Sequence, residues 1–285
     1  MYLLLTDVYT SCIQCHHAPP ISVMSKPERR IHVAVTGASS GIGEALVREF
    51  ARAGADVTLV ARRKDALERI AAELPGRSFV VAHDLADPAH AADWIPAAEA
   101  ALGSIDILIS NAGFLTIGPT ASFDPDEGDR MTNLNFVTPA RLMRAVLPGM
   151  LARRAGVIVN VTSVAALVSM SGWAWQAASK AASAMFSEAL RDELRGTGVH
   201  VMTFYPGLTN TPMAQAGLGA YGRKGLAALI PLGDPESLAR RLRRAIARRR
   251  ARMFYPRFYA LLRWFPRLSQ WLAARFAPKI GARGR

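Results

Sequence analysis

The sequence predicts an α/β fold: a doubly wound, mostly parallel sheet in a single domain, followed by a C-terminal basic amphipathic helical tail. Short β-branched runs alternate with segments whose apolar residues follow helical spacing, which is typical of a parallel sheet with crossover helices. Glycines or polar residues follow these runs directly, where such sheets bind ligands. The predicted strands are Ile31–Val35, Asp56–Ala61, Ser78–Ala82, Ile105–Ser110, Gly156–Val161 and Val199–Phe204.

The composition suits a globular protein with an unusually basic C-terminal part. Hydrophobic residues make up 51% of the 285 residues, enough for a sizeable core. No apolar run is long enough to predict a membrane span. The net charge of +13 is uneven: Ser237 to Arg285 carries 15 basic and no acidic residues, whereas the preceding residues carry 20 basic and 22 acidic ones. The basicity therefore belongs to the C-terminal segment.

Residues 1–30 are predicted to be a disordered leader. Cys12 and Cys15, followed by His16 and His17, have the spacing of a c-type haem attachment or of half a zinc site. The leader lacks the pattern of an export signal, and no second half of a zinc site follows. We therefore predict no metal site.

The residues 36–43, with the sequence TGASSGIG, join the first predicted strand to a helical pattern. A strand, a glycine turn and a helix together direct backbone N–H groups and a helix N-terminus at phosphate. Gly37 permits the tight turn, while Gly41 and Gly43 permit close approach of a pyrophosphate and close helix–strand packing. The segment therefore predicts a dinucleotide site.

Arg62 and Arg63 follow the second predicted strand. In a dinucleotide fold this strand end faces the adenosine ribose, where an acidic residue binds the 2′-hydroxyl and an arginine suits a 2′-phosphate. The pair favours NADP over NAD. The alternative is a solvated pair of arginines at a helix start.

Taken together, the motifs resemble those of the short-chain dehydrogenase/reductase family from about His32 to Pro256. The matching pieces are TGASSGIG at 36–43, Asp84-Leu85, Asn111-Ala112-Gly113, Asn135, Ser163, Lys180, Pro206-Gly207 and Thr211. The resemblance implies a Rossmann-like oxidoreductase domain over residues 31–256, with the tail over 257–285. The residues then expected to bind the cofactor are Thr36, Gly37, Ser39, Ser40, Gly41, Ile42, Gly43, Arg62, Arg63, Asp84, Leu85, Asn111, Ala112, Gly113, Lys180, Pro206, Gly207 and Thr211.

The resemblance also implies particular roles for some of these residues. Asp84 is expected to contact the adenine, and residues 111–113 are expected to line the cofactor and support the sheet. Thr211 is expected to bind the nicotinamide carboxamide, Lys180 the nicotinamide ribose, and Asn135 a water molecule that connects the site to solvent.

Asn135, Ser163 and Lys180 match three of the family's four catalytic residues, but Gln176 stands where the family has a tyrosine. A serine hydroxyl stabilises the developing charge on a carbonyl oxygen. A tyrosine four residues before the lysine shares its helix face, and the lysine lowers the tyrosine pKa. Glutamine donates a hydrogen bond but does not titrate near neutral pH. Because general acid catalysis typically contributes about 10²–10⁴-fold, we expect impaired turnover.

The remaining tyrosines do not restore this motif, since none precedes a lysine by four residues. Tyr205, at a predicted strand end, is the nearest substitute, with core packing as the alternative.

An apolar substrate, a carbonyl or alcohol, is predicted from the segments around these motifs. Residues 212–231 are rich in glycine and leucine and are interpreted as a cover over the site, with Met213, Leu218, Tyr221 and Leu226 as apolar contacts. An apolar pocket is expected from Leu115, Leu167, Trp173 and Trp175, with core or dimer packing as the alternative.

A helix is predicted over Pro235–Arg252, before the tail, and the tail carries an apolar stripe from Phe258 to Phe276, divided by Pro266. Trp264 and Trp271 lie at its border. A basic amphipathic helix with tryptophans suits an anionic membrane surface. Packing on the body or on a partner subunit is the alternative. Nucleic-acid binding is disfavoured, because the aromatic residues follow a helical stripe rather than a stacking platform.

The sequence therefore predicts an NADP-dependent oxidoreductase that transfers hydride between NADPH and an apolar carbonyl or alcohol, impaired by Gln176. The alternative is an inactive NADP(H)-binding protein that acts as scaffold or sensor at a membrane surface. The family's assemblies imply a homodimer or homotetramer. We expect a cytoplasmic location, with the inner face of a membrane as the alternative.

Overall fold

The computed structural model describes residues 30–215 and 232–276, and a seven-stranded parallel sheet lies at its centre. The strand order is β3-β2-β1-β4-β5-β6-β7. The strands are β1 His32–Thr36, β2 Asp56–Ala61, β3 Ser78–Ala82, β4 Ile107–Ser110, β5 Gly156–Val161, β6 Val199–Pro206 and β7 Arg252–Tyr255. The prediction of a doubly wound parallel sheet is confirmed.

Helices cover both faces of the sheet. They are α1 Gly41–Arg52, α2 Lys64–Ala72, α3 Ile95–Leu102, α4 Pro125–Thr132, α5 Thr138–Ala152, α6 Ala174–Glu193, α7 Pro235–Ala247, α8 Ala260–Trp264 and α9 Pro266–Phe276. No helix in the described ranges combines the length and the apolar character that crossing a bilayer requires.

Two apolar layers hold the sheet between these helices. Alternate residues of a strand point to opposite faces, so Val33 and Val35 belong to one layer and Ala34 to the other. The first layer includes Phe50 of α1 and Leu242 of α7. The second layer includes residues of α3, α5 and α6. β1 is buried along its whole length, because it lies in the middle of the sheet with helices on both sides.

The predicted helix over Pro235–Arg252 was too long, and β7 was missed. The helix ends at Ala247, and Arg249 takes a positive φ of 48°. Arg252 then pairs with Thr203 at the start of a short edge strand. Phe254 of that strand stacks on Tyr205 with ring centroids 4.8 Å apart. β7 forms by pairing with β6. The arginine-rich residues 248–252 that lead into it do not predict a strand.

The strand order changes direction at β1, which pairs with β2 on one side and β4 on the other. Open parallel sheets bind ligands outside the carboxyl ends of the strands at such a point. The segments that follow β1, β4, β5 and β6 therefore meet at one edge of the sheet.

Candidate active site

A cavity of about 630 Å³ lies at this edge of the sheet. It brings together most of the residues predicted from the sequence, namely Gly37, Ser39, Ser40, Gly41, Ile42, Arg62, Arg63, Asp84, Leu85, Asn111, Ala112, Gly113, Ser163, Gln176, Lys180, Pro206, Gly207 and Thr211. Thr36, Gly43 and Asn135 do not line the cavity. Instead, they support the residues that do.

The glycines between β1 and α1 occupy positions that have no room for a side chain. Gly37 and Gly41 have positive φ values of 68° and 59°. A Cβ atom on Gly43 would lie 2.1 Å from the carbonyl oxygen of Gly37, and one on Gly37 would lie 2.9 Å from Ala112 Cα. The side chain of Ser40 makes no capping hydrogen bond at the start of α1. The turn therefore leaves a cradle of backbone at a helix N-terminus, which fits the diphosphate of a dinucleotide.

The loops after β1 and β4 are joined through Thr36. Its hydroxyl oxygen accepts hydrogen bonds from the backbone N–H groups of Asn111 and Ala112 at 2.9 and 3.0 Å. The side-chain amide of Asn111 donates to the Thr36 carbonyl at 2.9 Å. These bonds hold Ala112 and Gly113 against the glycine turn, so both loops form one wall of the cavity.

The two arginines after β2 border the glycine turn. Arg63 donates to the hydroxyl and the carbonyl oxygen of Ser39 at 3.0 and 3.1 Å. Arg62 lines the same cavity. Asp84 also lines it and accepts a hydrogen bond from the Ala86 N–H at 3.0 Å. Positive charge therefore lies next to the glycine turn.

Lys180 of α6 is buried at the cavity wall, where its Nζ donates to the Val161 carbonyl at 3.1 Å. Burial lowers the pKa of Lys180 to about 8, because the charged form loses its hydration. A Cβ atom on Gly113 would lie 3.4 Å from this Nζ. The lysine thus lies between the end of β5 and the loop after β4.

Asn135 lies in a π-helical turn, Asn133–Val137, between α4 and α5. Its side-chain oxygen accepts from the Phe114 N–H at 2.9 Å, and its amide donates to the Phe114 carbonyl at 3.0 Å. The same amide donates to Gln176 Oε1 at 3.0 Å and to Ser179 Oγ at 3.2 Å. π-Helical turns occur frequently at functional sites. Here the turn places the buried amide of Asn135 against Gln176, outside the lining of the cavity.

Ser163 lies at the carboxyl end of β5 and lines the cavity. Its hydroxyl oxygen accepts a hydrogen bond from the Ala165 N–H at 3.1 Å. The hydroxyl hydrogen remains free to rotate toward a ligand. Ser163, Gln176 and Lys180 thus share one region of the cavity, as three donors without a tyrosine among them.

Tyr205 packs in the core rather than lining the cavity. It is 1% exposed, and its hydroxyl donates to Glu188 at 3.3 Å. Burial raises the pKa of Tyr205. Of the two interpretations left open by the sequence, core packing is therefore the one that the structure supports.

The prediction of which residues form the apolar pocket is partly wrong. Leu115 and Trp173 line the cavity, but Leu167 and Trp175 are not among its lining residues. Trp175 instead stacks on Phe123, with ring centroids 6.2 Å apart, because Gly128 leaves room for its ring.

The predicted cover is only partly described. Met213 lines the cavity, whereas Leu218, Tyr221 and Leu226 fall within residues 216–231, outside the described ranges. The same holds for Cys12 and Cys15, which precede residue 30.

The C-terminal segment packs on the body, which the sequence left open as an alternative, and it forms a further wall of the cavity, which the sequence did not predict. Its lining residues are Tyr259, Leu262, Ser269 and Ala273. A Cβ atom on Gly207 would lie 2.1 Å from the ring of Tyr259, so the glycine permits this contact. Burial raises the pKa of Tyr259. In the sequence of α9, the small residues Ser269 and Ala273 are the feature that permits this helix to pack closely on the body.

The fold is that of a dinucleotide-binding protein, with the cavity at the switch point of a doubly wound sheet. A family model described as short chain dehydrogenase matches residues 31–218, and the chain belongs to this family. The family assignment made from the motifs is thereby confirmed.

Two relatives illustrate the similarity in sequence. A short chain dehydrogenase from Pseudocercospora fijiensis is 38% identical over 179 residues, which cover 61% of this chain and 58% of the relative. The oxidoreductase UcpA from Escherichia coli strain K12 is 35% identical over 220 residues, covering 76% of this chain and 80% of UcpA.

Two solved structures illustrate the similarity in fold. A short-chain dehydrogenase from Sphingobium yanoikuyae in complex with NADPH has a TM-score of 0.71 and 30% identity, over 82% of this chain and 91% of that one. A serine dehydrogenase complexed with NADP⁺ has a TM-score of 0.67 and 29% identity, over 74% of this chain and 87% of that one.

Proposed function

We propose that the chain is an NADP-dependent oxidoreductase that transfers hydride between NADPH and an apolar carbonyl or alcohol, with impaired proton delivery. The observation that carries this proposal is that Ser163, Gln176 and Lys180 line the same cavity as the glycine turn. When bound, the nicotinamide cofactor supplies the hydride, so the protein has to supply orientation and a proton.

The choice of NADP rests on Arg62 and Arg63 at the end of β2, because guanidinium groups suit a 2′-phosphate. Two structural neighbours in complexes with NADPH and NADP⁺ support the same choice. In this proposal residues 36–43 hold the diphosphate. Asp84 and Leu85 hold the adenine, residues 111–113 line the cofactor, and Lys180, Pro206, Gly207 and Thr211 hold the nicotinamide half.

Proton delivery is where this chain departs from its family. Ser163 and Gln176 both have hydrogen-bond donors that can orient a carbonyl oxygen, but neither titrates near neutral pH. Lys180, with a pKa lowered to about 8, is the member of this cluster that can release a proton. We therefore expect slow hydride transfer limited by the proton, with cofactor binding intact.

The apolar substrate is inferred from the side chains around the cluster. They are Phe114, Leu115, Leu134, Val168, Met170 and Trp173, with Met213 and Leu262 on the opposite segments. An apolar carbonyl compound would bury its apolar surface against these side chains, and its oxygen would accept hydrogen bonds from the cluster of Ser163, Gln176 and Lys180.

A second candidate is an NADP(H)-binding protein without turnover, acting as scaffold or sensor at a membrane surface. The replacement of the family's tyrosine by Gln176 favours it. For either candidate we propose a homodimer or homotetramer with a cytoplasmic location.

A steady-state assay of NADPH oxidation with ketones and aldehydes tests the proposal, with Lys180→Ala as the control and NADPH affinity measured by calorimetry. Turnover above that of Lys180→Ala supports the reductase. NADPH binding without turnover supports the second candidate. An absence of NADPH binding contradicts both.

A further inference from the structure

The C-terminal segment carries a concentrated apolar surface. Thirteen large hydrophobic residues are exposed in the described ranges, and eight of them lie in this segment, between Phe258 and Phe276. They form what we call the outer face: Phe258, Leu261, Trp264, Phe265, Leu268, Trp271, Leu272 and Phe276. Trp264 is 76% exposed and Trp271 is 59% exposed. Apolar surface concentrated in this way marks an interaction site.

Contacts on the opposite side of the segment fix this orientation. Ser269 is buried, and Leu262 and Ala273 line the active-site cavity. The side chain of Gln270 accepts from the Ser169 N–H at 3.1 Å and donates to the Ser169 carbonyl at 3.2 Å. The outer face is thus exposed because the other side of α8 and α9 packs on the body.

The charge of the segment identifies the partner. Arg257, Arg267 and Arg275 are exposed beside the outer face, Arg263 pairs with Glu188 of α6 at 3.8 Å, and no acidic residue occurs from Ser237 to the last residue. In a symmetric dimer the same patch meets itself, so pairing through this face would bring these arginines together. An anionic lipid surface would instead neutralise them.

The composition of the outer face agrees with a lipid partner. Tryptophans concentrate at the boundary between water and hydrocarbon, where an apolar ring with a polar N–H group fits. α9 has 11 residues, which is too short to span a bilayer but sufficient to lie along its surface.

We infer that the outer face of residues 258–276 binds the surface of an anionic lipid bilayer, with α8 and α9 lying in the interface. This inference does not depend on whether the chain turns over substrate. Because α9 also forms a wall of the active-site cavity, the bound protein holds that cavity next to the bilayer.

Co-sedimentation of the full chain with vesicles tests the inference, using phosphatidylcholine alone and phosphatidylcholine mixed with phosphatidylglycerol. We expect binding to the anionic vesicles that weakens as salt is added, because salt screens the arginines. The triple variant Trp264→Gln/Leu268→Gln/Trp271→Gln and the double variant Arg267→Gln/Arg275→Gln should each lower the affinity by about tenfold or more.

Two matched controls separate this face from general effects of charge and hydrophobicity. Arg244→Gln/Arg248→Gln removes two exposed charges at α7, and Met185→Gln removes an exposed apolar side chain of α6. Both should bind vesicles like the unchanged chain. Thermal unfolding followed by circular dichroism shows that each variant folds, and the double arginine variant decides the result if the triple variant does not fold.

Three results would overturn the inference. The first is that the unchanged chain ignores anionic vesicles. The second is that the control variants lose as much binding as the outer-face variants. The third is self-association in sedimentation velocity that the triple variant abolishes without any vesicle binding, which would make a second copy the partner.

Discussion

The amide of Asn135 donates a hydrogen bond to Gln176 Oε1 across 3.0 Å, and both side chains are buried. The carbonyl end of Gln176 is therefore bound by a residue that does not line the cavity, and Nε2 is the donor end of this amide. An amide nitrogen can hold a carbonyl oxygen in place but cannot give it a proton. This pair ties α6 to the π-helical turn at the wall of the cavity.

Asn135→Ala is expected to destabilise the fold. The substitution leaves the backbone N–H and carbonyl of Phe114 without their side-chain partner, and a buried unsatisfied polar group costs about 1–3 kcal/mol. The free energy of unfolding from urea titration should fall by about 2 kcal/mol or more. Asn133→Ala in the same turn serves as the control, and an equal loss in both variants would contradict the role of Asn135.

Arg62→Ala and Arg63→Ala are expected to weaken NADPH binding selectively. Each removes a guanidinium next to the expected 2′-phosphate, and a charge-assisted hydrogen bond contributes about 1.5–3 kcal/mol. The dissociation constant for NADPH should rise about 10–100-fold in calorimetry, while that for NADH stays within about twofold. Equal increases in the dissociation constants for NADPH and NADH would show that the arginines do not bind the 2′-phosphate.

Gly43→Ala is expected to abolish nucleotide binding and to destabilise the fold. The added methyl group would lie 2.1 Å from the Gly37 carbonyl oxygen, so the turn has to move. Gly149→Ala is the matched control, because its Cβ atom would lie 3.3 Å from a side-chain nitrogen of Arg153 and alanine favours the helix interior by about 1 kcal/mol. Normal NADPH affinity in Gly43→Ala would contradict the described turn.

The stability of the cofactor-free chain should depend on pH through Lys180. Its pKa is lowered from 10.5 to about 8, so between these values the unfolded chain holds a proton that the folded chain has released. The free energy of unfolding therefore rises with pH over this interval, by up to about 3 kcal/mol, and the rise is absent below it.

The difference between the unchanged chain and Lys180→Met isolates this contribution, since the tyrosines that titrate near the upper end are common to both. Urea unfolding from about pH 7 to about pH 10 is the measurement. Parallel stability curves for the two chains would contradict a lowered pKa at Lys180.

Most of the strands and helices, and many of the residues that line the cavity, could be predicted from local patterns in the sequence. The glycine turn at 36–43 and the polar residues that end the strands follow directly from strand and helix periodicity. Gln176 was identified because it stands four residues before Lys180, where the family that the motifs resemble has a tyrosine.

Other features could not be predicted because they arise between distant segments. β7 pairs with β6, and the arginine-rich residues 248–252 that lead into it continue the pattern of α7. Tyr259 reaches the cavity because Gly207 has no side chain. The outer face is exposed because Leu262, Ser269 and Ala273 are the residues of this segment that face the body. The bond from Asn135 to Gln176 likewise depends on how the π-helical turn packs against α6.

The most direct test of the proposed function restores the missing acid. NADPH-dependent turnover of an apolar ketone should be measured for the unchanged chain, for Gln176→Tyr and for Gln176→Phe, which has the ring without the hydroxyl. A tyrosine next to Lys180 should raise kcat by about 10²–10⁴-fold with little change in NADPH affinity, while Gln176→Phe should stay at or below the unchanged chain. Equal rates for all three chains would contradict the proposal that Gln176 stands in the position of the proton donor.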